Sequence, residues 1–372
     1  MNNHLHIISH DVPYPANFGG VIDIFFKIKV LHGIGIKIHL HCFVKNRPAQ
    51  LELEKYCETV NYYNRKSYLN LSFSIPYIVS SRKSNLLLEN LQKDNYPILF
   101  EGVHCTYHLY KNEFINRKLF IRTFNVEYNY YNSLAKNENN LFKKIYYRIE
   151  GRLLKKYEAI VLKKATIFAL SDNDKTIFKK ELDSSDIEFL PVFLPYEIVK
   201  SNVGKGLYCL YHANFSINEN ENVAIWLIQN IFNKIHTPLV IAGLSPSKKL
   251  LAIAAKNKNV SIVKSPTHEN LQLLIENAQI NILPSFNNTG VKLKLLNALF
   301  NGRHCLVNKA GAVGSGLELL CNFAETEKEF IECIKQIFEK EFTVKEMQYR
   351  STALNVLYNN KKNALLIRNA IR

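Results

Sequence analysis

Short apolar runs alternate along this chain with longer segments whose apolar positions recur every three or four residues. His4–Ser9 is the first such run and predicts a strand. A turn-rich loop follows it, Asp11 to Gly20. Apolar residues then stand at 21, 22, 24, 25, 28 and 31, which predicts a helix over 21–32. Gly33 and Gly35 interrupt, and Lys37–Val44 alternates as a strand does. Strand, glycine-bearing loop, helix and strand in that order open a doubly wound parallel sheet. Further strands are predicted at 97–100, Leu119–Thr123 and 165–170, with a long helix over 141–162.

The pattern breaks at 184–206, where Pro191, Pro195, Gly204 and Gly206 cluster and read as a linker. It then restarts. Strands are predicted at 208–212, 239–243, 260–263, 280–284 and 304–308, helices at 221–232 and 290–300, and helix throughout 325–372. The expected architecture is α/β, with two Rossmann-like doubly wound domains. The first spans 1–190, the second 191–345, and C-terminal helices over 346–372 return to the first. Ligands in such sheets bind at the C-terminal strand ends, and a cleft between two facing domains is the expected site.

Composition narrows the class. Of 372 residues 47% are hydrophobic and 22% charged, which fits a globular chain and not a disordered or fibrous one. No apolar run reaches the ~18–20 residues of a membrane span, and the N-terminus lacks the pattern of a signal peptide. Seven cysteines without a CxxC pair read as reduced thiols, so a cytoplasmic protein is expected. The formal charge is +16, from 48 Lys+Arg against 32 Asp+Glu. Residues 1–190 and 191–372 carry +8 each, and 37 of the cations are Lys. Even spread without a binding motif argues against nucleic acid as the partner.

Two loops have the chemistry of phosphate sites. Gly19 and Gly20 precede the first helix, where free amides and the helix dipole attract anions. An ordinary strand–helix turn looks the same. In the second, Leu283-Pro-Ser-Phe-Asn-Asn-Thr-Gly-Val-Lys-Leu-Lys-Leu-Leu-Asn-Ala-Leu-Phe-Asn-Gly302, the hydroxyls of Ser285 and Thr289, the loop at Gly290 and the ammonium groups of Lys292 and Lys294 precede or open a helix. A capped amphipathic helix with solvated lysines is the plainer reading of the same residues.

Taken with Pro13-Tyr-Pro-Ala-Asn-Phe-Gly-Gly20 and Arg122-Thr-Phe-Asn-Val-Glu-Tyr-Asn-Tyr-Tyr131, the order and spacing resemble the GT-B glycosyltransferases, in particular the retaining family 4 group. Tyr211-His-Ala-Asn-Phe-Ser216 falls where that family begins its second domain. The resemblance implies a sugar transferred from a UDP- or GDP-linked nucleotide sugar to a glycan or lipid-linked acceptor, with no metal and no further cofactor. It places Gly19, Gly20, His212, Asn214, Ser285, Thr289, Gly290, Lys292, Lys294 and Asn297 at the donor. Glu127, Asn125 and Glu101 become the catalytic candidates on the acceptor side, with Asp11 and Asp23 as weaker ones. Helix capping or salt bridging accounts equally for the acids, and a satisfied strand end for His212 alone.

The chain departs from the family pattern at two positions. Phe124 stands where the family carries a His that contacts the donor sugar, and Asn297 where it carries a ribose-binding Glu. Asn287 and Asn288 are uncharged too. Either the donor differs, neighbours supply the chemistry, or the protein is an inactive scaffold; a sugar-nucleotide epimerase shares the fold. Finally, 143–164 holds Lys143, Lys144, Arg148, Arg152, Lys155, Lys156, Lys163 and Lys164, opposed by Glu150 and Glu158. An apolar side accompanies them, so this helix either packs on the core with a solvated basic face or lies on the anionic inner face of a membrane, consistent with surface polysaccharide synthesis.

Overall fold

Two parallel sheets carry the chain. The computed structural model describes residues 3–66, 74–138, 140–182, 186–287 and 289–372. The first sheet is ordered β3-β2-β1-β4-β5-β6-β7, from β1 His4–Ser9, β2 Lys37–Val44, β3 Thr59–Asn64, β4 Ile98–Glu101, β5 Leu119–Thr123, β6 Thr166–Ala169 and β7 Ile187–Phe189. The second is ordered β10-β9-β8-β11-β12-β13, from β8 Cys209–Asn214, β9 Leu239–Leu244, β10 Val260–Lys264, β11 Ile280–Ile282, β12 His304–Val307 and β13 Asn322–Phe323. The helices of the first half are α1 Gly19–Gly33, α2 Tyr77–Ser80, α3 Asn85–Leu91, α4 Tyr107–Tyr110, α5 Glu127–Asn137, α6 Leu141–Val161 and α7 Asp172–Leu182. Those of the second are α8 Asn218–Trp226, α9 Lys248–Ala254, α10 His268–Asn277, α11 Leu293–Asn301, α12 Lys309–Ala312, α13 Glu327–Phe338, α14 Val344–Leu357 and α15 Asn360–Ile371. One compact unit is Met1–Pro195 with Tyr358–Arg372, the other Tyr196–Leu357.

Both faces of each sheet are covered, as buried parallel strands require. Leu5 and Ile7 of β1 point to one face and meet Ile24 and Ile28 of α1 and Ala364, Ile367 and Ile371 of α15. Ile8 points to the other and meets Phe43, Phe100, Ile121 and, from α6, Leu154 and Tyr157. Each fully buried Leu, Ile or Phe among them contributes about 1.5–3 kcal/mol relative to exposure. In the second unit Ile241, Ile280 and Ile282 pack on Leu227, Ile231 and Phe330.

His6 of β1 also points into the unit. Its Nδ1 lies 2.8 Å from His41 Nε2, and His41 Nδ1 lies 2.8 Å from the Tyr63 hydroxyl. The other nitrogen of His6 meets Asp94 at 3.0 Å. Burial pushes His6 down to about 4 and His41 well below the ordinary histidine range.

The expected elements are present with shifts at their ends. The stretch read as a linker contains β7, and Leu190, Phe193 and Leu194 within it are buried. The helix expected over 221–232 is α8 followed by a wider π turn, Leu227–Phe232. The helix expected from residue 290 begins at Leu293 with Lys292 as its N-cap, because Gly290 holds φ +65°, outside helical geometry. Helix over 325–372 breaks between α13, α14 and α15.

Candidate active site

The C-terminal ends of β4 and β5 meet α1 in a buried charge tetrad. Lys27 of α1 donates to Asp23 at 3.0 Å and to both Glu101 oxygens at 2.7 and 2.9 Å. Arg122 of β5 donates from Nε to Asp23 at 3.1 Å, and the Phe193 amide adds a bond at 2.8 Å. All four charged side chains are at most 1% exposed. Two cations face two anions, so the set is neutral. Burial raises the Asp23 pKa, but Arg122 and Lys27 outweigh it and hold the carboxyl at about 2. Burial keeps Glu101 above its ordinary range against the pull of Lys27. Glu101, a catalytic candidate by sequence, thus lies inside an ion-paired core and away from any surface. Asp23 is a member of the same core. Asp11 turns its carboxylate to the Val12 amide at 2.8 Å.

Glu127 opens α5 and is 4% exposed. Glu158 of α6 accepts the Glu127 and Tyr128 amides at 3.0 and 3.1 Å and so caps α5. Burial pushes Glu127 up to about 7, opposed by a hydrogen bond from Asn125, and pushes Glu158 up to about 8, with Glu127 adding to the rise. A carboxyl lifted toward neutrality falls in the range that general acids and bases use. Of the three acceptor-side candidates, Asn125 and Glu127 form one group and Glu101 stands apart.

Beside them sit two histidines that no spacing in the sequence marks. His10 follows β1 and His104 follows β4. Their rings lie 5.4 Å apart, and the His10 ring meets Phe124 edge-on at 5.3 Å. Nδ1 of each is buried without a hydrogen-bond partner. Gly102, at φ +82°, leaves the room for this: a Cβ there would lie 2.7 Å from His104 Nδ1 and 3.2 Å from the Phe124 ring. A Cβ on Gly20 would meet the His10 ring at 3.0 Å. Gly19 and Gly20 form the first turn of α1, which has no side-chain cap and no acid. The loop before them is tied down by Arg47, which reaches the Val12 carbonyl at 2.8 Å and Asn17 at 2.9 Å.

In the Tyr196–Leu357 unit, the ends of β8 and β11 and the start of α11 gather the other candidates. Lys294 lies over the Tyr211 ring at 5.0 Å. Burial, with Lys292 adding, pulls Lys294 down to about 8, and burial with Lys294 pulls His212 down to about 3. His212 Nε2 is buried without a partner. Ser285 bonds Glu219 at 3.1 Å and the Asn287 carbonyl at 3.0 Å. Asn287 accepts from the Thr289 amide and hydroxyl at 2.9 and 2.8 Å, which shapes the loop. Lys292 reaches the Thr289 carbonyl at 2.5 Å. Asn214 is spent on its own turn, accepting from the Ser216 amide at 3.0 Å. Asn297 faces Asn301, which donates to its amide oxygen at 2.8 Å. Asn288 lies outside the described residues. Two lysines and a histidine thus surround one loop with Glu219 as the opposing charge, a place where an anion is welcome.

α6 behaves differently from its sequence pattern. Glu150 and Glu158, read as counter-charges, are buried at 3% each and cap other helices; Glu150 accepts the Tyr77 amide of α2 at 2.9 Å. The outward face carries Leu141, Ile145 and Ile149 at 65%, 45% and 52% exposure, interleaved with Arg148, Arg152 and Lys155.

No family model matches the sequence. It is 29% identical over 341 residues to an uncharacterized 44.6 kDa protein in the cps region of Klebsiella pneumoniae, covering 83% of this chain and 84% of that one. The structure is similar to a glycosyltransferase from Rickettsia africae, with a TM-score of 0.68, 14% identity and 99% and 98% of the two chains covered. It is also similar to a mutant of S. aureus TarM in complex with fondaparinux, alpha-GlcNAc-glycerol and UDP, at TM-score 0.69, 10% identity and 99% coverage of both. HepE of Anabaena in complex with UDP-glucose gives 0.65, 12% and 99% of both. The chain has the GT-B fold.

Within this GT-B chain the missing imidazole at Phe124 is bordered by two others, His10 and His104. Neither belongs to a motif, since each is a single His just past a strand end. The other expected GT-B landmark, Asn297, keeps its helical place in α11 with its amide oxygen already engaged.

Proposed function

We propose that this chain is a glycosyltransferase that moves a sugar from a nucleoside diphosphate donor to a hydroxyl of a glycan or lipid-linked acceptor in capsule or other surface polysaccharide synthesis. The observation that carries the reading is the group of Lys292, Lys294 and His212 around the 285–290 loop. A departing diphosphate gains charge in the transition state, and fixed cations stabilise it there. Lys294, held near pH 8 in its ordinary state by burial, gains affinity for its proton when a diphosphate arrives. Glu127 exchanges a proton with the acceptor hydroxyl, and Asn125 holds its carboxylate. The cps-region relative and the UDP and UDP-glucose named with the similar structures support the donor class and setting. Transfer with retention at the sugar, at the cytoplasmic face of a membrane, completes the proposal. α6 supplies the membrane contact, its isoleucines entering the headgroup layer and its cations meeting anionic lipid.

The test is release of nucleoside diphosphate from a panel of UDP- and GDP-sugars in the presence of membrane-derived acceptors. Acceptor-dependent release is expected. Donor isomerised without acceptor would instead make the protein an epimerase. Donor binding without turnover across the panel would make it an inactive relative, the reading that Phe124 and Asn297 favour.

A further inference from the structure

Four arginines of the first unit divide into two kinds. Arg117 and Arg122 are paired with carboxylates, Asp94 and Asp23. Arg65 and Arg82 are not. Arg82 follows α2 and is 4% exposed, yet its bonds go only to neutral groups, the His10 carbonyl at 3.0 Å and the Ile78 carbonyl at 2.6 Å. Arg65 follows β3, is partly exposed, and donates to the Ser81 hydroxyl at 3.3 Å; its Nε is buried with no partner. Among the described residues no carboxylate lies within ion-pair distance of either. Residues 67–73, which follow Arg65, contain no acid at all.

The two guanidiniums feel each other. Burial and then Arg65 pull Arg82 down to about 10, and burial, then Arg82 and Arg65, pull His10 down to about 3. His104 is lowered by burial and by Arg82. The acids facing this group are Asp11 and Glu127. Asp11 is turned to the Val12 amide, and Glu127 is itself held near neutrality. Leaving two like charges, one buried and one partly buried, without a counter-charge is costly, and an anion seated between them removes the cost. Guanidinium forks match the oxygens of a phosphate, and His10 and His104 each offer a ring nitrogen that lacks a partner.

We propose that Arg65 and Arg82, with His10 and His104 beside them, form an anion subsite on the C-terminal rim of the first sheet that takes the phosphate ester of a phosphorylated acceptor. The word acceptor rests on the glycosyltransferase reading; the anion subsite does not. It lies in a different unit from Lys292 and Lys294, so the two sites separate by mutation. The ester can come from a soluble sugar phosphate or from a lipid-linked phosphate, which present the same oxygens.

The experiment titrates the full chain with glucose 1-phosphate, with phosphatidylcholine vesicles carrying a polyprenyl phosphate, and with UDP. Arg65→Gln is the main variant, because this side chain is partly exposed and makes one bond. Arg82→Lys keeps the charge and removes the fork, and thermal melting of each variant checks folding. At least a tenfold loss of affinity for one of the phosphate probes is expected in both arginine variants, with UDP affinity within twofold of the parent. The probe that responds identifies the soluble or the lipid source. Lys294→Ala is expected to show the reverse. Phosphate affinities within twofold of the parent in Arg65→Gln, or an equal loss of UDP, would overturn the subsite. Loss of phosphate binding in a protein that transfers no sugar would leave the subsite standing and remove the glycosyltransferase reading.

Discussion

Replacing Lys27 by Met tests the buried tetrad. The methionine fills nearly the same volume but removes one cation from a set of two cations and two anions. Lys27 makes bonds of 3.0, 2.7 and 2.9 Å to Asp23 and Glu101 in a site without solvent, with both carboxylates at most 1% exposed. Glu101 has no other cation at bonding distance among the described residues, whereas Asp23 keeps Arg122. Breaking a buried pair from one side typically costs about 3–5 kcal/mol, because the remaining charge stays desolvated. For a urea slope of ~2–3 kcal/mol/M that moves the midpoint by about 1–2 M. The assay is urea unfolding followed by circular dichroism. Trp226 fluorescence, from the single tryptophan, reports the other unit separately. The double change Lys27→Met with Glu101→Gln leaves a neutral pair, Arg122 with Asp23, and is expected to recover at least half of the loss. A Lys27→Met loss under about 1 kcal/mol, or a double variant no more stable than the single, would refute the account of Glu101 as a structural and not a catalytic acid.

Four further outcomes are expected. His6 binds its proton near pH 6.5 when unfolded and near 4 when folded, so stability falls as the pH drops through that window, by up to ~3 kcal/mol; His6→Gln flattens melting temperature against pH there. Lys294→Ala weakens UDP binding at least tenfold by calorimetry while Asn297→Ala changes it less than about twofold, and UDP affinity of the parent declines as the pH rises past about 8, where Lys294 loses its proton. Glu127→Gln lowers kcat about 10²-fold or more and removes the limb of the pH–rate profile near 7; an unchanged profile would take Glu127 out of the chemistry. Ile145→Glu with Ile149→Glu abolishes sedimentation with anionic vesicles and leaves the melting temperature unchanged, since both side chains face outward.

Where local pattern sufficed, the sequence was informative. β1, α1 and β2 follow from apolar spacing because each buries a regular face. β3 did not, since half of Thr59–Asn64 is polar and only Tyr63 is buried. β13 is two residues long and leaves no period to detect. The site candidates divide on the same ground. Loop and helix-start residues such as Thr289 and Lys292 are near one another in the chain, so their grouping is visible. Asp23 and Arg122 are 99 positions apart, and Lys27 and Glu101 are 74. No spacing rule relates them, and an acid at a strand end looks catalytic until its partner is seen. Glu150 and Glu158 misled in another way: on a helical projection they balance the lysines of α6, but they cap α2 and α5.

α15 has a consequence for how this protein is made. Its Ala364, Ile367 and Ile371 lie in the same apolar cluster as Leu5 and Ile28, and Asn360 exchanges bonds of 3.1 and 2.8 Å with the backbone of Leu194. The 196–357 unit is therefore an insertion within the other. A ribosome that has finished residue 195 has made seven strands whose core still lacks one helix, and must make the whole second unit before supplying it. The inserted unit can close first, although its strands are synthesised last. The apolar residues of α1 that share a cluster with Ala364, Ile367 and Ile371 lack that cover until the final helix is made.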